Sequence, residues 1–167
     1  MEIREIYLPE FDNEMKKTRA ILERVPVDKP DFKPHERSMT LGKLAAHVAQ
    51  LPDFGTVIIE EPSLDFATGK MKPLVMESRE QLLAAFDENV KKTRKAIAGA
   101  TDEHWQQMWK LSFQGKTITE NKRFLVYRDM FLNHQVHHRG QLGVYLRLND
   151  IPLPATYGPS ADDKMGF

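Results

Sequence analysis

The chain has 167 residues with 24 basic and 24 acidic side chains, so its formal net charge is +0 and its composition lacks the basic footprint of a nucleic-acid-binding domain. No stretch approaches the roughly 20 consecutive apolar residues of a membrane span, so no membrane partner is expected either. There is no cysteine, which excludes disulfides and a thiolate nucleophile, so we expect one domain over residues 1–167 in which nitrogen and oxygen atoms hold any metal.

Two amphipathic helices are predicted in the first part of the chain. Apolar residues recur at helical spacing over residues 6–25, and the N-terminus lacks the basic and apolar regions of a signal peptide, so we expect a cytoplasmic protein. After a proline-rich connection, Thr40 is the expected N-cap of a second helix that begins at Leu41. Pro52 lies inside the apolar pattern of this helix. Because the pattern continues beyond it, we expect a kink at which the carbonyl of Val48 loses its helical hydrogen bond.

His47 occupies an apolar position of the second helix. The stripe to which it belongs consists of Leu44, His47, Leu51, Phe54 and Ile58. A buried imidazole has two ring nitrogens, and both normally need a partner. For a single histidine, a hydrogen bond to a tyrosine or to a backbone carbonyl is the simpler explanation, so His47 gains significance only if further histidines lie near it.

The middle of the chain predicts a third helix and a small hairpin. Ser78 followed by Gln81 resembles a capping box, and the apolar residues after it keep a helical period as far as Gly99. Over residues 108–119, apolar and polar residues alternate, as in a strand with one buried face. Gln114-Gly115 is placed to turn the chain, which favours one small β-hairpin before the last helix.

The longest predicted helix runs from Asn121 to Asn149 and carries a histidine-rich segment. Its apolar stripe consists of Phe124, Tyr127, Phe131, Tyr145 and Leu148. With about 100° per residue, the centre of this stripe lies between His134 and His138, whereas His137 lies on its flank and Arg139 points away. We therefore expect two imidazoles one turn apart in the core, and a surface or partner contact for Arg139.

These two histidines and His47 form a candidate metal site with three nitrogen ligands. Neutral imidazole is a common ligand of divalent metals, and the i, i+4 spacing lets two rings reach one ion. Three ligands leave an open position, as in catalytic zinc sites, at which a bound water or thiol becomes more acidic. Zinc proteases place a glutamate directly after the first histidine, whereas this chain has Gln135, so a metalloprotease is not expected. The alternative is a helical bundle whose core histidines are hydrogen-bonded.

The sequence resembles the DinB-like family, a group of damage-inducible four-helix metalloproteins unrelated to the DNA polymerase of the same name. The resemblance is carried by Leu44-Ala45-Ala46-His47, His134-Gln135-Val136-His137-His138-Arg139-Gly140-Gln141, Ile151-Pro152 and Tyr157-Gly158-Pro159-Ser160-Ala161-Asp162. It implies an all-α, up-up-down-down four-helix bundle with long connections between its helices, and a homodimer. It also implies that His47, His134 and His138 bind zinc or nickel, with His137 outside the ligand set.

The resemblance extends to a possible reaction class. Relatives in the same superfamily include thiol-dependent S-transferases and maleylpyruvate isomerase, which use bacillithiol, mycothiol or glutathione. It therefore implies a metal-dependent transferase with a low-molecular-weight thiol and a small electrophile as partners. A metal-dependent hydrolase and a non-catalytic metal-binding or stress-response protein are the alternatives, and the sequence shows no convincing general base. A solvent-open cleft beside the histidines would favour an enzyme; closure by Tyr127, Phe131 and Tyr145 would oppose one.

Overall fold

The structure, a computed structural model, describes residues 1–165 of the domain expected over residues 1–167, and residues 166–167 lie outside the described range. It is mostly helical, with a small three-stranded sheet. The main elements are α1 (Ile3–Leu22), α2 (Leu41–Glu60), β1 (Ser63–Asp65), α3 (Arg79–Gly99), α4 (Asp102–Gln106), β2 (Met108–Phe113), β3 (Lys116–Lys122), α5 (Arg123–Val126), a π-helical turn (Tyr127–Asn133) and α6 (His134–Arg147). The last three follow one another directly and form the last helical segment. No helix within residues 1–165 has the length and apolar character that crossing a bilayer requires.

The predicted starts of the second and third helices are confirmed. The hydroxyl of Thr40 accepts a hydrogen bond from the backbone N–H of Lys43, and the hydroxyl of Ser78 accepts one from that of Gln81. Such bonds satisfy N–H groups that have no partner inside the helix. As expected, α2 continues through Pro52 to Glu60.

The directions of the helices differ from the expected up-up-down-down order. Helix α1 is antiparallel to α3, α3 is parallel to α2, and the last helical segment is antiparallel to α2 and parallel to α1. The antiparallel packing of α1 and α3 follows from the pairs Arg19–Asp87 and Asp12–Arg94, and the parallel packing of α2 and α3 from Ala49–Asn89 and Pro52–Thr93. The last helical segment contacts α2 through Val48–Gln135 and Ile58–Arg123, and α1 through Tyr7–Phe124 and Glu10–Arg128. The order is up-down-down-up. Periodicity predicts which face of a helix is buried but not the direction in which the helix runs. The connections 23–40 and 61–78 are equally long, so their lengths do not distinguish the two orders.

The predicted hairpin is confirmed, and it belongs to a sheet with one more strand. β2 and β3 pair antiparallel around Gln114 and Gly115, whose φ angles of 50° and 77° suit a tight hairpin turn. β1 pairs parallel with the other side of β2, so the expectation of an all-α fold with a hairpin alone is incomplete. The Asp65 carboxylate accepts hydrogen bonds from the Ser112 hydroxyl and from both backbone N–H groups of the turn. The sheet therefore ties the connection 61–78 to the hairpin.

The last helical segment is shorter than predicted and contains a π-helical turn. Asn121 belongs to β3, so the helix begins at Arg123, and Leu148 lies beyond its end with 55% of its surface exposed. The π turn ends directly before His134, and such turns frequently occur at functional sites. It brings the ring of Phe131 so close to α2 that a Cβ on Gly55 would lie 3.0 Å from it. A larger residue at position 55 would therefore require the Phe131 ring to shift by a few tenths of an ångström.

Candidate metal centre

The structure brings the three predicted histidines together. His47 lies in the middle of α2, and His134 and His138 lie on the first two turns of α6. One ring nitrogen from each histidine lies within 4.8 Å of the other two, and the Nε2 atoms of His47 and His134 are 3.3 Å apart. Three nitrogen atoms that face one another at such distances can converge on a single ion.

Beside the cluster, a contact between Val48 and Gln135 holds α2 and α6 together. These residues directly follow His47 and His134. Pro52 has no N–H to donate to the carbonyl of Val48, as expected from the sequence. The side-chain Nε2 of Gln135 donates to that carbonyl instead, at 3.2 Å. The proline in α2 therefore provides the acceptor through which α6 is attached, and sequence analysis did not assign this contact to Gln135.

The Nδ1 atoms of two histidines have oxygen partners that orient the rings. His134 Nδ1 lies 3.2 Å from the backbone carbonyl of Met130, inside the π-helical turn, and His138 Nδ1 lies 2.7 Å from Oε1 of Gln141. Because both oxygen atoms can only accept, each Nδ1 carries the proton and donates it. The lone pairs are thereby left on the Nε2 atoms, which is how metal-binding histidines are commonly oriented.

The histidines lie at the edge of the core rather than at its centre. All three are half-buried, whereas the fully buried side of α6 is formed by Gln135, Arg139, Leu142 and Leu146. The expected position of His134 and His138 in the middle of the buried stripe is therefore wrong. The segment packs against both α1 and α2, so its buried face is wider than one apolar stripe. The π turn also interrupts the 100° period on which the expectation rested.

Partial burial keeps the clustered imidazoles neutral. Burial, together with the neighbouring His138 and His134, lowers the pKa of His47 to about 4. Burial also lowers the pKa of His134 and that of His138, against opposing hydrogen bonds to Met130 and Gln141. The neutral form is the one that binds a metal. His137 is exposed and lies outside the cluster, as expected.

An open cavity of about 330 Å³ adjoins the cluster. Its lining consists of His47, Gln50, Leu51, Phe54, Phe66, Met71, Pro73, Met130 and His134. Tyr127, Phe131 and Tyr145 do not line it, so they do not close the site. This geometry matches the condition set above for an enzyme, because a small molecule can lie beside two of the histidines.

The connection 61–78 forms the outer wall of this cavity, and Gln50 holds it in place. The side-chain Nε2 of Gln50 donates to the carbonyl of Lys72 at 2.6 Å, and its Oε1 accepts from the N–H of Leu74 at 3.0 Å. Gln50 lies three residues after His47 on α2, so one helix supplies both a candidate ligand and the support for the wall.

Arg139 is buried, so its expected surface position is wrong. Its guanidinium contacts the Glu14 carboxylate and the Tyr157 hydroxyl, each at 2.6 Å, and the Thr18 hydroxyl at 3.2 Å. Burial raises the pKa of Glu14, but hydrogen bonds from Tyr157, Arg139 and Lys17 lower it by more, so the carboxylate stays charged. Arg139 points away from the histidines, as the helical wheel indicated, but that side of α6 faces α1 rather than solvent.

The comparisons with known proteins cover nearly the whole chain. The model of the DinB family matches residues 4–164. The uncharacterized protein YrdA of Bacillus subtilis is 23% identical over 165 residues, which are 96% of this chain and 92% of that protein. Two DinB-like crystal structures superpose with 20% identity: YjoA of Bacillus subtilis with a TM-score of 0.68 over 94% of this chain and 98% of its own, and a Bacillus cereus protein with 0.69 over 93% and 98%. Likeness at this identity shows the fold alone.

Proposed function

This chain belongs to the DinB family, and from that premise we propose that it is a metal-dependent enzyme. In this proposal, His47, His134 and His138 bind one divalent ion, and the enzyme transfers a low-molecular-weight thiol to a small electrophile. The observation that carries the proposal is the position of the cluster: three imidazole nitrogens face one another beside an open, largely apolar cavity.

The residues of the cluster fit a divalent metal with nitrogen preference, such as zinc or nickel. The donors are three neutral imidazoles, which suit both metals. The Met130 carbonyl and the Gln141 side chain fix the rings through Nδ1, so that the Nε2 lone pairs of His134 and His138 are available. Without a metal, three half-buried imidazoles would face one another with few other partners, which is unfavourable for polar groups.

Thiol transfer is favoured over hydrolysis by the side chains around the cluster. A divalent ion held by three histidines would supply positive charge that deprotonates a bound thiol outright, whereas it would lower the pKa of a bound water only to about 7. Within residues 1–165, the cluster of candidate ligands contains histidines only. Gln135 is buried and donates to Val48, so it is not a base. The chain has no cysteine, so the sulfur comes from the cosubstrate.

The scaffold and the assembly are part of the proposal. We take the four long helical segments to form the four-helix bundle implied by the family resemblance, with the connection 61–78 added as a wall of the cavity. We also take the protein to be a homodimer, which light scattering on the purified protein tests directly through its mass in solution.

Elemental analysis of untagged protein tests the metal site. We expect about one equivalent of zinc or nickel in the wild type, and loss of stoichiometric metal in His47→Ala, His134→Ala and His138→Ala, because each removes one of three ligands. His137→Ala is the matched control, since it removes an exposed histidine of the same helix, and it should retain the metal. A wild type that neither contains metal nor takes up Zn²⁺ or Ni²⁺ would contradict the proposal.

Turnover is tested separately from metal binding. The metal-loaded protein is mixed with bacillithiol, mycothiol or glutathione and with monochlorobimane, an electrophile that becomes fluorescent on reaction with a thiol. We expect turnover with at least one thiol, and its loss in His134→Ala but not in His137→Ala. Metal-loaded protein that is inactive with every thiol and electrophile tested would instead support the non-catalytic metal-binding alternative.

A further inference from the structure

The cavity beside the histidines is almost free of available polar groups. Six of its lining residues are apolar, namely Leu51, Phe54, Phe66, Met71, Pro73 and Met130. The remaining three are His47, His134 and Gln50. Both ends of the Gln50 amide are already bonded to the backbone of the connection 61–78. Of the side chains within residues 1–165 that line the cavity, the two histidines, or a metal ion that they bind, are therefore what remains to interact with the polar end of a ligand.

Among residues 1–165, no charged side chain lines the cavity, although the connection that forms its wall contains lysines. Lys70 pairs with Glu61 at 2.6 Å, and the side chain of Lys72 is exposed to solvent. Neither residue belongs to the lining. In the metal-free protein, a carboxylate or an ammonium group that entered the cavity would lose part of its hydration without gaining a partner of opposite charge from the lining side chains, which is unfavourable.

We infer that this cavity binds the uncharged, apolar part of a small substrate, an aromatic ring or a short aliphatic group, with the reactive end of the substrate towards His47 and His134. Charged parts, including those of a thiol cosubstrate, remain outside it. The placement of the reactive end rests on the proposed function, whereas the preference for an uncharged group depends only on the lining. The volume of about 330 Å³ lies at the lower end of small-molecule sites, so the bound group is small.

Two methionines make the inference directly measurable. Met71 and Met130 line the cavity, on the connection 61–78 and on the π-helical turn, and the other six of the eight methionines do not. NMR of methionine methyl groups in the full chain therefore reports occupation of the cavity without any measurement of activity, because the ring of an aromatic ligand shifts the resonances of nearby methyls. Met108, exposed on β2, is an internal reference.

The probes are benzyl alcohol, which is uncharged, and terephthalate and p-xylylenediamine, which carry a charge at both ends of the same ring. We expect benzyl alcohol to shift the Met71 and Met130 methyls in a saturable way and to leave Met108 unchanged. In protein treated with a chelator, the two charged probes should shift neither cavity methyl. Equal binding of a charged probe, or shifts spread over all methionines, would overturn the inference.

A matched pair of variants tests the wall itself. Phe66 and Phe113 are similarly exposed, at 42% and 49%, but only Phe66 lines the cavity. Phe66→Ala should weaken the binding of benzyl alcohol by about threefold to tenfold, the worth of one aromatic contact, and Phe113→Ala should leave it unchanged. Equal effects of the two variants would overturn the assignment of the wall.

Failure of this inference is distinguishable from failure of the proposed function. The titration is performed on protein as purified and again after treatment with a chelator. Selective binding of benzyl alcohol by protein that contains no metal as purified and takes up neither Zn²⁺ nor Ni²⁺ would support the cavity and contradict the metalloenzyme. If the protein as purified contains one equivalent of metal but binds terephthalate after chelation, the metal site is supported and the inference about the cavity is contradicted.

Discussion

Helix α6 carries two pairs of polar residues, each one turn apart, and the pairs differ in how their polar atoms are satisfied. Gln135 and Arg139 are buried, and both terminal nitrogens of the Arg139 guanidinium donate to groups from α1 and from the C-terminal loop. His134 and His138 are half-buried; Nε2 of His134 lies 3.3 Å from that of His47, and one ring nitrogen of His138 lies within 4.8 Å of a nitrogen of each of the other two. The two pairs thus differ in their contacts: the first binds the helix to its neighbours, and the second faces a third histidine, with which it could hold a metal ion.

The largest effect is expected when the first pair is broken at Arg139. Arg139→Ala would remove the guanidinium from the carboxylate of Glu14, which is only 8% exposed, and leave Tyr157 and Lys17 as its partners, so a loss at the lower end of the range for buried pairs is expected. Loss of one member of a buried ion pair costs about 3–5 kcal/mol of unfolding free energy. Denaturant unfolding measures it, with Arg147→Ala as the control, since that arginine forms an exposed pair with Asp162 worth at most about 1 kcal/mol. Similar losses in the two variants would contradict the distinction.

A smaller effect is expected when the support of the second pair is removed. Gln141→Ala deletes the acceptor of the His138 Nδ1–H and should weaken metal binding about tenfold, the lower end for such supporting groups, because Gln141 is exposed. A competition titration with a metal-binding dye measures the affinity. Stability of the metal-free protein should change little, unlike that of Arg139→Ala. An unchanged metal affinity would show that His138 needs no orienting partner.

The contact of Gln135 with α2 is expected to be worth about 1 kcal/mol. Gln135→Met removes the donor to the Val48 carbonyl but also a buried Oε1 that has no partner, so the two effects partly offset. In a Pro52→Ala background, the new backbone N–H of residue 52 donates to the Val48 carbonyl. Gln135→Met should then change the unfolding free energy little. A double-mutant cycle by denaturant unfolding tests this coupling. Additive effects would show that the amide does not compensate for the proline.

The smallest expected effect is the response of the Arg139 network to acid. The pKa of Glu14 is lowered in the folded state from its ordinary value of 4.5, so its contribution to the unfolding free energy is present above that pH and is lost as the pH falls below it. In Glu14→Gln, the unfolding free energy should therefore fall less steeply in this acidic range than in the wild type. Glu10→Gln, at a more exposed pair with Arg128, is the control. Equal slopes in the wild type and Glu14→Gln would contradict the assignment.

The sequence predicted those features that depend on neighbouring residues. The N-caps Thr40 and Ser78, the continuation of α2 through Pro52 and the turn at Gln114-Gly115 are each encoded within a few positions, and all are observed. The grouping of His47 with the two later histidines was also predicted, from their places on apolar helical stripes.

The features that were missed depend on distant partners. Arg139 is buried because Glu14, 125 residues away, provides a charge partner, and no local pattern indicates that. β1 has only three residues, too few for a periodic signal, and forms by pairing with β2. The π turn and the helix directions likewise follow from packing between helices. Because the sequence predicts neither the π turn nor the helix directions, the centre of the buried face of α6 was expected at the histidines, whereas it lies beside them.

The connection 61–78 carries the outer wall of the cavity, whereas the candidate metal ligands lie on helices. The candidate ligands lie on α2 and α6, whereas Phe66, Met71 and Pro73 of the cavity wall lie on the connection between α2 and α3, which is held by Gln50 and by the pairing of β1. Changes in this stretch leave the helices and their histidines in place. Relatives that share the three histidines but differ over residues 61–78 are therefore expected to bind the same metal and to accept different compounds, so new specificities can evolve by exchange of one loop.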